Sequence, residues 1–442
     1  MTRGKAEVTM THGAFTLLLR NGRIIDPLNE VDVIADLLLS DGKVIEIITG
    51  KRHCNLPDGC QEIDVSGLWV VPGLIDMHVH LREPGHEYKE DVASGTAAAA
   101  AGGFTAVACM PNTLPVNDCR AVTAQILAAA ATASARVYPV GCISKGSQGE
   151  ELADYGELCS AGVVALSDDG QPVVNAQLMR RALEYSGNFQ LPIISHAEDV
   201  SLSRNGAMNE GELSICLGLQ GIPAAAESVA VYRDLALAEL TRRPIHIAHV
   251  STAEAVSLIR RAKELGQPVT AETAPHYFAL TDRAVAGYDT NAKMNPPLRC
   301  EVDRLAIVAG LKDGTIDVIA TDHAPHSSLE KELEFDQAAN GIIGLQTSVP
   351  LALQLVHQGV ISPGRLVELL SVNPARILGV KGGSLAPGVP ADITVIDPAK
   401  SFVFTTEKIL SKSRNSPFLG QSFTGKSVLT ILQGKITYND MK

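Results

Sequence analysis

Residues 73–85 read GLIDMHVHLREPG, with His78 and His80 two apart and Arg82 two further on. Alternate side chains of a strand share a face, so a His-x-His pair at a strand end can aim both imidazoles at one ion. The apolar residues leading into it occupy both parities, which does not suit a half-buried polar edge. Polar residues recur at the ends of other short apolar runs: Asn112, Asp168 and Asp169, His196, His249, and Asp322 with His323 and His326. Taken singly, a histidine at a strand end has an ordinary structural explanation, because buried polar groups readily find partners. Taken together, four imidazoles and two carboxylates exceed what one catalytic zinc takes from a protein. They suit two metals ~3.5–4 Å apart bridged by a carboxylate, and imidazole with carboxylate fits zinc best.

Alternation also sorts neighbours. His246 and His249 have opposite parity, so one at most is expected in the interior, and His249 is nearer the strand end; His246 is read as structural. Asp168 and Asp169 diverge in the same way, as do Asp322 and His323. His276 is read as structural, and His12, His53, His86 and His357 as incidental.

Eight apolar runs alternate with helical stretches from about residue 69 to 383: LWVVPGLIDMHVHL, FTAVACMPN, ARVYPVGCIS, GVVALSDDG, LPIISHAED, PIHIAHVST, PVTAETAPHY and DVIATDHAPH. Continuous apolar strands are buried on both faces, as in parallel sheets. Eight such units, with no glycine fingerprint after the first strand, predict a TIM-type (β/α)8 barrel rather than a doubly wound sheet. The polar residues then sit at the C-terminal rim, where such barrels carry their sites. Residues 1–68 and 384–442 are β-rich, with Asn-Gly and Asp-Gly hairpin signals. Neither end has enough strands alone, so the two are expected to form one small β-sandwich domain beside a barrel at 69–383. The polar stretch HSSLEKELEFDQAANG is expected to be a mobile loop over the site.

The 442 residues are 45% hydrophobic and 19% charged, as in a globular protein. A net charge of −12 and only 4% aromatic residues argue against a nucleic-acid partner. Eight cysteines are scattered without a C-x-x-C pair, which predicts free thiols in a reducing compartment. No secretory leader or membrane-spanning run is evident, and the expected location is cytoplasmic.

The segments GLIDMHVHLREPG, CMPNT, SDDG, SHAED, HVST, NPPLR and ATDHAPH resemble the cyclic-amidohydrolase branch of the amidohydrolase superfamily. Within it they most resemble class I bacterial dihydroorotases, over nearly the whole chain. His-x-His alone would identify only the superfamily; NPPLR and ATDHAPH, with HLREPG and MPNT, are more specific.

The resemblance implies two Zn2+ ions held by His78, His80, Asp169, His196, His249 and Asp322. Asp169, rather than Asp168, matches the bridging ligand, and Asp322 matches the catalytic aspartate. It further implies substrate contacts from His80, Arg82, Asn112, Asn295, His326, Asn340 and Gly341, although the family more often has an aromatic residue in place of Asn340. The expected reaction is the reversible cyclisation of N-carbamoyl-L-aspartate to L-dihydroorotate in pyrimidine biosynthesis, with Arg82 forking the substrate carboxylate. A homodimer and association with an aspartate transcarbamoylase are also implied.

Hydantoinases bridge their metals with a carboxylated lysine on strand four, and GVVALSDDG has no lysine. An aspartate is shorter, which predicts a looser hold on the second metal. Competing readings are an allantoinase or hydantoinase, which Arg82 with Asn112 and the lysine-free strand disfavour, and a non-catalytic scaffold for a transcarbamoylase, which the complete ligand set disfavours.

Overall fold

The computed structural model describes residues 16–50 and 59–441. His12, His53, Cys54 and the N-terminal segment considered for a leader lie outside them.

Eight parallel strands follow one another in sequence order: β1 (Leu74–Val79), β2 (Phe104–Cys109), β3 (Arg136–Gly141), β4 (Ala165–Leu166), β5 (Ile193–Ser195), β6 (Ile245–Ile247), β7 (Val269–Thr273) and β8 (Val318–Ile319). A bridge between Val79 and His323 brings the last strand back to the first, and the His80 N–H donates to the His323 carbonyl at 2.9 Å. The sheet is thus the expected barrel. One face of its strands, including Met77, Ala106, Ala108, Val140, Ile194 and Val318, packs together as an inner cluster. The alternate residues, such as Val107, Cys109, Ile193, Ile245, Ile247 and Ile319, pack against the surrounding helices. Burial on both faces is why these runs are apolar at both parities. Helices such as Ala176–Ser186 and Ala253–Glu264 present one apolar stripe to the sheet. Ala253–Glu264 buries Ala255, Val256, Ile259 and Ala262, and Thr252 caps it by accepting from the Ala255 N–H.

The run LWVVPGLIDMHVHL is two strands, not the single strand its composition suggests. Trp69–Pro72 pairs with Ile393–Val403 on one side and Thr16–Asp26 on the other. It thereby joins strands from both chain ends into one eight-stranded sheet. The break falls at Gly73, where an added Cβ would lie 2.2 Å from Thr105 Oγ1, so only glycine lets the chain pass from one sheet to the other. At the edge of this second sheet Val44 exchanges backbone hydrogen bonds with Gly388 and Val389 (2.8 and 3.0 Å). The sheet so folds over a core containing Leu17, Leu37, Val44, Val395, Leu429 and Ile431. Among the described residues the cysteines are free thiols, and no helix is long and apolar enough to cross a membrane.

Candidate active site

The first strand reaches the site through a β-bulge. Asp76 stands opposite Val107 and Val79 opposite Cys109, so three steps on β1 match two on β2. The phase of alternation shifts: Ile75 and Met77 lie in the inner cluster, yet His78 and His80 above them also face inward. Bulges beside active sites commonly re-aim side chains in this way. Asp76 stays in the bulge and accepts from the His78 and Thr321 N–H groups at 3.2 and 3.1 Å.

Arg82 does not continue the strand. Its φ is +61°, so the arginine enters the pocket from a left-handed turn and not by the period of two that its spacing suggests. His249 and Asp322 also have positive φ, +33° and +46°. Such backbone at non-glycine residues is rare and collects at functional sites. The turn at His249 overrides parity: His246, inside β6, and His249, beyond it, both contribute to the interior.

Three imidazoles are oriented from behind. His78 Nδ1 meets Glu272 Oε1 at 2.6 Å, His80 Nδ1 meets Asn112 Oδ1 at 2.8 Å, and His196 Nε2 meets Glu198 Oε2 at 3.0 Å. Each outer oxygen is an acceptor, so each neutral ring carries its proton on that side. The lone pairs of His78 Nε2 and His80 Nε2 therefore point at carboxylates, and that of His196 Nδ1 meets His249 Nε2 at 2.7 Å with Asp169 just beyond. Asp169 lies 3.3 Å from His78, 3.4 Å from His80, 3.5 Å from His196 and 3.6 Å from His249. Asp322 Oδ1 lies 3.1 Å from His80 Nε2. Buried lone pairs facing buried carboxylates repel unless cations intervene. His78 Nε2 and Asp169 Oδ1 are indeed buried without a hydrogen-bond partner.

The donor atoms fall into two groups, His78 with His80 and Asp322, and Asp169 with His196 and His249, each with its atoms within 4.8 Å of one another. Asp169 reaches into both. This set fits metal ions. Asp168, by contrast, accepts from the Ile143 and Ser144 N–H groups (2.8 and 3.1 Å) and is structural.

The electrostatics agree. Burial opposes charge on His78, but Asp169, Asp322 and Glu272 together hold its pKa well above the imidazole range. Burial likewise opposes charge on His196, which Asp169 and Glu198 push up to about 10. Burial would raise Asp169 and Asp322, but the facing imidazoles hold both below the usual carboxylate range. Without metal, protons take the place of cations.

Beside these groups lies a cavity of about 210 Å3 whose lining includes Arg82, Asn112, Asn295, His326 and Asn340. Arg82 is 9% exposed and donates Nε to the Pro325 carbonyl and Nη2 to His326 Nε2, both at 3.2 Å. Burial, then the positive charges of Arg82 and Lys89, push His326 down to about 3, so its ring is neutral. Asn295 Nδ2 is engaged by Glu198 Oε2 at 3.1 Å.

Gly341 lies behind the wall, not on it. Its N–H donates to the Lys293 carbonyl, and its own carbonyl accepts from Lys331 and Asn415. Its place requires glycine, because a Cβ would meet the Ala324 carbonyl at 2.5 Å and His326 Cδ2 at 2.7 Å. The segment after β8, expected as a mobile loop, is anchored: Phe335 packs with Tyr277, Met294 and Ile342, and buried Lys331 Nζ donates to the Ala339 and Gly341 carbonyls.

Sequence reasoning missed Glu272 and Glu198. Glu272 holds His78 and, through Oε2 at 3.2 Å, His246, so His246 is an outer support of the site. Glu272 lies near the end of an apolar strand and Glu198 two residues beyond His196, past the end of another, which was a readable signal. His276 is buried, its Nε2 unpartnered, and burial pushes it down to about 4.

An L-hydantoinase (dihydropyrimidinase) from Arthrobacter aurescens matches this structure with a TM-score of 0.85 at 25% identity, over 97% of each chain. A dihydropyrimidinase from Brevibacillus agri gives 0.84 at 23% identity, over 97% of this chain and 96% of the other, a likeness of fold. A family profile described as Dihydro-orotase-like matches residues 67–255. Barrel and site together define a cyclic-amide hydrolase of the amidohydrolase superfamily with a metal cofactor.

Among curated proteins, the dihydroorotase of Geobacter metallireducens is 58% identical over 423 residues, covering 96% of this chain and 99% of that protein. The dihydroorotase of Syntrophobacter fumaroxidans is 54% identical over 444 residues, covering 99% of both. The chain belongs to the dihydroorotase family.

Proposed function

We propose that this protein interconverts N-carbamoyl-L-aspartate and L-dihydroorotate, using two zinc ions held by His78, His80, Asp169, His196, His249 and Asp322. The observation that carries the reading is the pair of buried donor groups sharing Asp169, with a buried arginine on the adjoining cavity wall. The lysine-free fourth strand, with Asp169 between the groups, supports the class I type.

Zinc supplies a water acidified towards neutral pH and an electrophilic partner for the amide carbonyl oxygen. The chain's own residues do the rest. Arg82 forks the substrate carboxylate, and neutral His326 and Asn112 line the same cavity. This places the ring amide over the donor groups. Asp322, whose buried carboxylate faces the cluster of donor atoms, takes the proton from the attacking water. It returns that proton to the ring nitrogen as the C–N bond breaks. In ring closure the same carboxylate removes the proton from the carbamoyl nitrogen as that nitrogen attacks the side-chain carboxyl, and water leaves. Asn340 also lines the cavity, and Gly341 next to it lets His326 pack close against the backbone.

The test is hydrolysis of dihydroorotate, hydantoin and allantoin by the zinc-loaded protein. Dihydroorotate is expected to be the preferred substrate; turnover of hydantoin or allantoin without dihydroorotate overturns the reading. Asp322→Asn is expected to lower kcat by about 10²–10⁴-fold. Arg82→Met is expected to raise KM by roughly 10–100-fold. Wild-type kinetics in either removes that residue's role.

A further inference from the structure

The cavity wall is held in place by a residue from far along the chain. Between the strands Ile393–Val403 and Ser422–Leu432 the chain leaves the second sheet and crosses to the barrel rim. Ser411 Oγ and the Lys412 N–H donate to the buried Glu90 carboxylate. Ser413 Oγ donates to the Lys89 carbonyl at 2.7 Å.

Asn415 follows, 3% exposed. Its Oδ1 accepts from the His326 N–H at 3.1 Å, and its Nδ2 donates to the Ala324 carbonyl at 2.9 Å and the Gly341 carbonyl at 3.0 Å. Its own carbonyl accepts from the Ile343 N–H at 2.9 Å. One amide thus saturates its donors on two segments, 324–326 and 341–343, which carry His326 and flank Asn340. The space between those segments is too narrow for a Cβ on Gly341, so a small relaxation of the clip would move the His326 ring. None of its hydrogen bonds reaches a proposed metal ligand.

We propose that Asn415 is a positioning residue for substrate specificity, fixing the His326 wall that adjoins Arg82 by clamping it to the Gly341 backbone behind; this rests on reading the cavity as the dihydroorotate site.

The experiment compares wild type, Asn415→Ala, Asn415→Ser and Arg82→Met in the full chain. It measures zinc content, KM and kcat for dihydroorotate, and turnover of dihydrouracil, the same ring without its carboxylate. Asn415→Ala is expected to keep its zinc, raise the dihydroorotate KM about tenfold with kcat within about threefold, and lose a comparable part of the preference over dihydrouracil. Asn415→Ser is expected to do the same. A wild-type KM and preference in either variant, where Arg82→Met raises KM, overturns the role of Asn415 alone. Failure of the wild type to hydrolyse dihydroorotate overturns the underlying reading. Should neither Asn415 variant fold, amide hydrogen exchange of the wild type decides: slow exchange at His326 and Ile343 supports the clip, and free exchange there overturns it.

Discussion

Glu272 offers the most direct test of how the site is built. It is fully buried, with Oε1 on His78 and Oε2 on His246. Burial alone would raise its pKa, but the two imidazoles lower it from 4.5 to about 2, a drop worth about 3 kcal/mol. The sign follows from the direction. A depressed carboxylate stabilises the metal-free fold above pH 4.5, and that contribution is lost as the pH falls towards 2.

With metal bound, the same carboxylate keeps the His78 proton on Nδ1 and its lone pair on the metal side. Glu272→Gln preserves shape but presents an amide N–H to one of the two rings. Facing His78, it would drive the proton onto Nε2 and abolish the ligand. Facing His246, it would leave His78 a weaker acceptor. Either way metal affinity is expected to fall about 10–100-fold. Competition with a chromogenic zinc chelator measures this, and kcat in excess zinc is expected to recover most of the wild-type value. Wild-type zinc affinity in Glu272→Gln would refute the claim that Glu272 sets the His78 tautomer.

Two further outcomes concern protons. His78 and His196 are protonated at neutral pH in the metal-free protein and must be neutral to bind metal. Zinc binding near pH 7.5 is therefore expected to release about two protons, read by calorimetry in buffers of different ionisation enthalpy; no release would contradict the assignment. Burial, with Lys293 nearby, pushes the Lys331 ammonium down from 10.5 to about 7. Its folded pKa lies below its unfolded one, so the penalty is complete below pH 7 and is relieved as the pH rises to 10.5. The native protein should thus gain stability relative to Lys331→Met across that window, and a pH-independent difference in urea midpoints would rule this out.

The two donor groups were legible because their residues stand at or just past the ends of strands whose apolar residues announce them, and the barrel because its strands are buried on both faces. What was not legible depends on local backbone. The bulge between Asp76 and Val79 is what lets both Met77 and His78 face inward, and nothing in GLIDMHVH marks an extra residue. The left-handed turns at Arg82 and His249 broke a parity argument that assumed unbroken strands. The division of LWVVPGLIDM at Gly73 depends on Thr105, a contact 32 positions away. Asn415 lies further still from the residues it fixes, so no local pattern could assign it.

The two donor groups differ in what stands behind them, and this bears on the expectation of a weakly held second metal. In the first group His78 leans on fully buried Glu272, and His80 on Asn112. In the second, His196 leans on Glu198, whose side chain is 16% exposed. Among the described residues, His249 makes no hydrogen bond apart from that to His196. Outer hydrogen bonds orient ligands and strengthen them as bases, so the second group should hold its metal less tightly, for this reason as much as for the shortness of Asp169. Graded chelation followed by metal counting is expected to remove one zinc per chain first. Glu198→Gln is expected to hasten that step and leave the second unchanged. Simultaneous loss of both metals, or an effect of Glu198→Gln on the slower step, would show that Asp169 couples the groups too strongly for their outer supports to matter.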